Sequence, residues 1–221
     1  MSIPATVPAV PGLLQSSLLS SISWLLHGFG TRESGFWMDD LPSARVKQVH
    51  SDIVLSAHSP CGVVGEGDAI VTATPGVWVG VRTADCVPIL LADRGRRGIA
   101  AVHAGWKGTA AGIVGNTIQR MRTEFGSQPA DIAAVIGPAI GGCCFEVGDE
   151  VAAHFQVSGR SERGRPMVNL EAENAAQLAL AGVGAIEKLG ICTRCGGEAY
   201  HSYRRDGERA GRMISALCIR S

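Results

Sequence analysis

The sequence has no apolar run long enough to cross a bilayer, which takes about 20 residues. It has no excess charge of either sign: Lys+Arg and Asp+Glu each number 20. No net field would therefore gather nucleic acid or an anionic membrane surface. Aromatic residues make up 5% of the chain. Trp24, Trp37, Trp78 and Trp106 stand too far apart in sequence to suggest a base-stacking platform. The opening Met-Ser-Ile-Pro-Ala-Thr-Val-Pro lacks a basic segment and is interrupted by proline, which argues against a secretory signal. The seven cysteines are odd in number and scattered, so they do not read as a disulfide framework. A reducing cytoplasmic setting is expected.

Several zinc signatures are missing too. There is no His-Glu-x-x-His, and no His-x-Glu paired with Pro-Cys-x-x-Cys. Cys192-x-x-Cys195 has no second Cys-x-x-Cys to complete a zinc ribbon. Cys143-Cys144 is vicinal and reads as a turn into buried thiols; Cys218 lies in an apolar run and reads as core.

What is present is a run of short apolar segments punctuated by glycine, of which there are 29 in 221 residues. Residues 1–23 read as an N-terminal arm with a short helix, and 24–221 as one domain. Strands are expected at 46–50, 52–57, 68–72, 77–83, 87–92, 99–103, 131–136 and 213–219. Helices are expected at 109–125, capped by Thr109, and at 147–155 and 171–181. Residues 185–189 fit either element. Strands cluster with helices between the clusters, which predicts an α+β fold of mixed or antiparallel β-sheets layered with α-helices.

Chemistry concentrates where strand-like runs give way to Gly, Asp or Pro. His50, Cys86 and His103 stand at three such points. Two imidazoles and a thiolate form a three-ligand zinc set with one open position. The same groups form a Cys-His nucleophile pair. Residue types alone leave both open. Asp85 either orients a metal-binding imidazole or closes its strand through local amides. Lys107, in His103-Ala-Gly-Trp-Lys-Gly108, either completes a phosphate cradle at a helix start or sits exposed on a glycine turn. Ser202 and Arg204, in Ser202-Tyr-Arg-Arg-Asp-Gly207, suit phosphate contacts or a polar turn.

In order along the chain come His27-Gly-Phe-Gly-Thr-Arg32, Lys47-Gln-Val-His50, Gly67-Asp-Ala-Ile-Val-Thr72 and Arg82-Thr-Ala-Asp-Cys-Val-Pro-Ile-Leu-Leu91. They continue with Ala101-Val-His-Ala-Gly-Trp-Lys-Gly108, Ile136-Gly-Pro-Ala-Ile140, Cys192-Thr193, Ser202-Tyr-Arg-Arg-Asp-Gly207 and Gly211-Arg212. This series resembles the laccase-domain, or YfiH-like, family, formerly called multicopper polyphenol oxidases. The resemblance covers residues 24–219. It implies zinc held by His50, Cys86 and His103, with phosphorolysis of adenosine, inosine and methylthioadenosine to base plus ribose 1-phosphate. It also implies adenosine deamination. The partners it implies are purine nucleosides and phosphate. Related proteins have been given a peptidoglycan-editing role, and the fold resembles cysteine hydrolases, which keeps a Cys86–His103 amidase as the alternative. Copper fits less well: a multicopper cluster consumes many imidazoles, and the chain has six histidines. The family carries a longer stretch between Arg32 and Lys47 than Glu33–Val46 here, so one wall of the substrate pocket is expected to differ.

Overall fold

The computed structural model describes residues 9–220; the first eight residues of the expected arm, and with them the signal-peptide argument, lie outside that range. The chain opens with a single-turn helix, α1 (Ser17–Ser20), then β1 (Leu25–Phe29), β2 (Ser43–Lys47), β3 (Val54–Ser56) and β4 (Gly62–Glu66). Next come β5 (Ala69–Thr72), β6 (Trp78–Thr83), β7 (Val87–Asp93) and β8 (Ile99–Ala104). Helices α2 (Trp106–Ala110) and α3 (Ile113–Phe125) lead to β9 (Ile132–Ile136) and α4 (Asp149–Ala152). A hairpin of β10 (Val157–Arg160) and β11 (Pro166–Val168) precedes α5 (Leu170–Leu180) and β12 (Ala185–Lys188). Helix α6 (Tyr203–Asp206) and β13 (Met213–Ile219) end the described chain.

Two mixed sheets carry the fold, as the α+β reading expects. The five-stranded sheet runs β1-β13-β6-β2-β4 and the six-stranded sheet runs β12-β9-β7-β8-β5-β3. Strand alternation sorts the apolar residues into layers. Leu90, Ala92, Ile99 and Ala101 from the six-stranded sheet meet Val79, Val81 and Leu217 from the other. On the far side, Val87, Ile89, Leu91 and Val102 pack against Ile113, Val114, Ile118 and Met121 of α3 and Leu178 of α5. Strands covered on both faces are apolar along their length. Each large aliphatic side chain so buried contributes about 1.5–3 kcal/mol.

Two local expectations are corrected and one left open is settled. The helix foreseen at 109–125 starts at Trp106 and breaks at Gly112, whose φ is +79°, before resuming as α3. Thr109 therefore caps nothing; it is buried and its hydroxyl accepts from Asn174 Nδ2. The helix expected at 147–155 shrinks to the single turn of α4. The ambiguous stretch at 185–189 is a strand, pairing parallel with β9.

The described part of the N-terminal arm is held down. Leu19 and Ile22 join the inter-sheet core, and buried His27 accepts the backbone N–H of Ser16 at 2.9 Å. Burial holds His27 neutral, its pKa lowered to about 4. In the segment after Arg32, Trp37 stacks edge-on against Trp78 at 5.4 Å.

Candidate active site

The site forms where β2, β5, β7 and β8 end or begin. His103 lies on the face of β8 that carries Ile99 and Ala101 between the sheets, and it is buried. Cys86 immediately precedes β7, whose register sets Val87 opposite Ala104 and Pro88 opposite His103. His50 follows β2 on a loop with φ +59°, a conformation a non-glycine residue adopts only when its surroundings enforce it.

Asp68 supplies that enforcement. Its carboxylate accepts the backbone N–H groups of Val49, His50 and Ser51 at 3.2, 3.0 and 2.6 Å, and the Ser51 hydroxyl at 2.7 Å. The β5–β8 register, Ala69 opposite Val102, places the same carboxylate beside His103. There His103 Nδ1 donates to Asp68 Oδ1 at 2.7 Å. One buried carboxylate thus fixes the loop of one imidazole and the ring orientation of the other, turning Nε2 of His103 to the site.

The donor atoms of His50, Cys86 and His103 all lie within 4.8 Å of one another. Cys86 Sγ is 4.0 Å from His50 Nε2, and the imidazole centroids are 4.9 Å apart. Gly105 leaves room here: a Cβ on it would come to 3.1 Å from both Cys86 Sγ and His50 Cδ2 and crowd the donor group. The electrostatics match the geometry. Burial alone would lower the pKa of His103, but hydrogen bonds to Asp68 and Cys86 push it up to about 9. Burial alone would raise the Cys86 thiol; hydrogen bonds to His103 and His50 outweigh it and bring the pKa down to about 6. Desolvation opposes the charge on Asp68 too, yet its hydrogen bonds to His103 and Ser51 hold it well below the usual carboxylate range.

The remaining sequence-predicted residues divide. Asp85, with φ +84°, hydrogen-bonds to neither imidazole. Its carboxylate accepts from Thr193 Oγ1 at 2.6 Å, Ser202 Oγ at 3.1 Å and Arg204 N at 2.6 Å. The expectation that it orients a histidine is corrected: that group is Asp68, and Asp85 anchors the start of α6 under the cleft. Ser202 is fully buried and its hydroxyl is spent on Asp85 and on capping α6, so it does not face the cleft as expected of a substrate contact. Lys107 is exposed, with Nζ 5.7 Å over the Trp106 ring, and lies outside the cleft lining. Of the proposed anion contacts only Arg204 lines the cleft.

The cleft measures about 660 Å³, within the usual range for a small-molecule site. Its floor holds the His50–Cys86–His103 group, and its walls include Trp106, Phe145 and Leu170. Arg82, Arg204 and Arg212 converge on it. Each has one terminal nitrogen tied to the protein, to Asp39, to the Glu146 carbonyl and to the Ala210 and Gly211 carbonyls respectively. Asp68, Arg82 and Arg212 were not singled out for roles from sequence, although all three sit inside motifs already noted. Their guanidiniums and carboxylate carried no spacing signal of their own.

Comparison with known proteins fits this geometry. Residues 33–220 match the family model described as multi-copper polyphenol oxidoreductase laccase. The chain belongs to this family. A protein named purine nucleoside phosphorylase from Deinococcus radiodurans is 45% identical over 83% of this chain and 72% of its own length. A protein named adenosine deaminase RL5, from an unknown prokaryotic organism, is 39% identical over 68% of this chain and 61% of its own. The crystal structure of the protein YfiH from Bacillus licheniformis superposes with a TM-score of 0.82 at 27% identity, covering 96% of this chain and 98% of that one. Among the described residues no helix is long and apolar enough to cross a membrane.

Proposed function

We propose that this laccase-family protein is a zinc-dependent purine nucleoside phosphorylase that also deaminates adenosine. The observation that carries the reading is the three-donor group on the floor of a nucleoside-sized cleft ringed by guanidiniums. The donor set suits zinc: one thiol already biased to thiolate, and two imidazoles, one braced by a carboxylate. His50, Cys86 and His103 would hold the ion, leaving one position for a ligand. Zinc bound there would supply Lewis acidity and lower the pKa of a water, the chemistry that deamination at the purine amino carbon requires.

Phosphorolysis asks other things of the chain. A phosphate oxygen bonds to the anomeric ribose carbon while the bond from that carbon to the purine nitrogen breaks. The electron pair leaves with the base, which takes up a proton. Arg204 and Arg212, with Arg82, hold the phosphate and offset its charge by electrostatics and positioning. Trp106 and Phe145 offer flat apolar surfaces for the purine and exclude water from the reacting carbon. The relatives named above, a phosphorylase and a deaminase, support both halves of the reading.

Incubating metal-replete protein with adenosine and phosphate should yield adenine, ribose 1-phosphate and inosine. Product no higher than in a His103→Ala control rejects the proposal. Replacing Arg212 by Ala should raise the KM for phosphate about 10–100-fold, from a lost charge-assisted contact worth roughly 1.5–3 kcal/mol. Deamination, which uses no phosphate, should be nearly untouched.

One observation favours a second reading. Without metal, Cys86, His103 and Asp68 stand as nucleophile, base and orienting carboxylate. That arrangement is an amidase or hydrolase site, the alternative tied to peptidoglycan editing. Zinc that shields Cys86 from alkylation and stimulates turnover decides for the phosphorylase; turnover abolished by zinc decides for the hydrolase. A multicopper oxidase finds less support. Among the described residues, only this group combines imidazoles with other donors in a set of three or more, and it holds two.

A further inference from the structure

A second donor cluster lies outside the cleft and plays no part in the chemistry above. Strands β9 and β12 run parallel and in register, Ile136 beside Lys188. Past their ends the two chains stay together through a parallel bridge between Ala139 and Cys192. Ala139 N donates to Ile191 O at 3.1 Å and Thr193 N to Ala139 O at 2.9 Å. Each chain then makes a tight turn bearing two cysteines, Cys143-Cys144 on one and Cys192-Thr-Arg-Cys195 on the other. The topology therefore supplies from two distant segments what neither spacing could supply alone.

We propose that Cys143, Cys144, Cys192 and Cys195 form a tetrathiolate site that binds one zinc ion. The four sulfurs lie within 4.8 Å of one another. Cys143 Sγ is 3.7 Å from both Cys144 Sγ and Cys195 Sγ, and Cys144 Sγ is 3.2 Å from Cys195 Sγ. A tetrahedron of sulfurs about 2.3 Å from zinc has edges of roughly 3.7–3.8 Å. The sulfurs gather around one point; they do not separate into two pairs as a disulfide arrangement would. A backbone amide points at them as well. Gly141 N donates to Cys192 Sγ at 3.2 Å. Such a donor favours a charged thiolate. Zinc takes the place of the thiol protons, which pass to solvent.

A four-sulfur set leaves no open position, so its role is structural. It staples the Gly141–Glu146 turn to the Cys192–Cys195 turn. The first carries Phe145 and the Glu146 carbonyl that holds Arg204, and the second carries Thr193, bonded to Asp85. Metal here would set the wall of the cleft without touching substrate.

The test uses full-length protein purified under reductant. The His50→Ala/His103→Ala variant leaves all four cluster cysteines intact. It should keep one equivalent of zinc, exchangeable for cobalt with an intense sulfur-to-cobalt charge-transfer band. Adding Cys143→Ser and Cys195→Ser should remove both the metal and the band. In the unaltered protein, alkylation of exposed Cys143 and Cys195 should speed up when a chelator is added, while that of exposed Cys61, outside both clusters, should be the same with and without it. This readout does not depend on any variant folding. A His50→Ala/His103→Ala protein that is folded and metal-free overturns the proposal. So does alkylation of Cys143 and Cys195 that a chelator leaves unchanged in zinc-replete protein, or a disulfide among the four under reductant. Loss of the catalytic reading would leave each of these outcomes unchanged.

Discussion

The two donor clusters are built on opposite plans. His50, Cys86 and His103 mix nitrogen with sulfur and stop at three, at the bottom of a cleft. Their orientation comes from a buried carboxylate, Asp68, which grips a strained loop and an imidazole at once. The four cysteines use sulfur only, stand at the rim, and receive a main-chain donor, Gly141 N to Cys192 Sγ. A set of three braced by a side chain leaves room for chemistry; a set of four braced by main chain closes on itself. Bracing by a side chain also makes the first cluster the easier of the two to break by a single substitution.

The largest test of that contrast is His103→Ala. It removes a donor and orphans Asp68, a buried charge with three amides still attached. Turnover should fall on the order of 10³-fold, since several kcal/mol of charge stabilisation goes with the site. Metal content should fall by one equivalent and no more. Loss of all bound metal would mean the clusters are not independent. Next in size is Asp68→Asn, which keeps the shape but weakens the hold on His103 and on residues 49–51. Metal affinity at the cleft, and with it turnover, should drop about 10–100-fold. A full effect on the cluster at the rim would contradict the division of labour between the two braces.

The sequence revealed some of this arrangement and hid the rest for physical reasons. The central strands were legible because both faces are covered and the residues are apolar almost throughout, as in β7 from Val87 to Ala92. Strand β4 (Gly-Val-Val-Gly-Glu) was not, because an exposed edge strand interrupted by glycine carries little alternation. The β10–β11 hairpin was missed because β10 is exposed along its whole length. The donors His50, Cys86 and His103 stood out at strand ends and within the family motifs. Asp68 did not, since its partner lies 35 residues away and only the β5–β8 register brings them together. The cysteine cluster was hidden for a similar reason. It depends on β12 pairing with β9, and the text of 185–189 reads equally well as helix or strand.

A smaller effect separates the clusters by reactivity. In metal-stripped protein the Cys86 pKa near 6 makes it mostly thiolate at pH 7, because hydrogen bonds to the two imidazoles outweigh burial. Cys195 is pushed up to about 12, first by its hydrogen bond with Cys144 and then by Cys143 and Cys192. The sign is fixed: alkylation of Cys86 should rise through a midpoint near pH 6 and then level off, while that of Cys195 should still be climbing at pH 9. At pH 7 the two rates should differ about tenfold or more, since the thiolate is the nucleophile. Mapping modified peptides by mass spectrometry against pH checks this. A Cys86 whose alkylation is still climbing at pH 9 would show that the imidazoles do not stabilise its thiolate.

The smallest effect probes one link between the two regions. Thr193 stands inside the Cys192–Cys195 turn, and its buried hydroxyl donates to Asp85 Oδ1 at 2.6 Å. Asp85 in turn holds the backbone of Arg204, whose guanidinium stacks on Phe145 at 5.5 Å. Thr193→Val keeps the volume and removes the hydroxyl. It leaves one lone pair of a buried carboxylate unmet, at a cost of about 1–3 kcal/mol in stability. Both metal equivalents should remain, because no donor is touched. Phosphate KM should rise a few-fold as Arg204 loosens, with deamination unaltered. Measuring the two activities side by side tells whether the turn at the rim acts on the cleft through Asp85 and Arg204. Equal losses in both would place its influence on the fold as a whole and cut the link between the clusters.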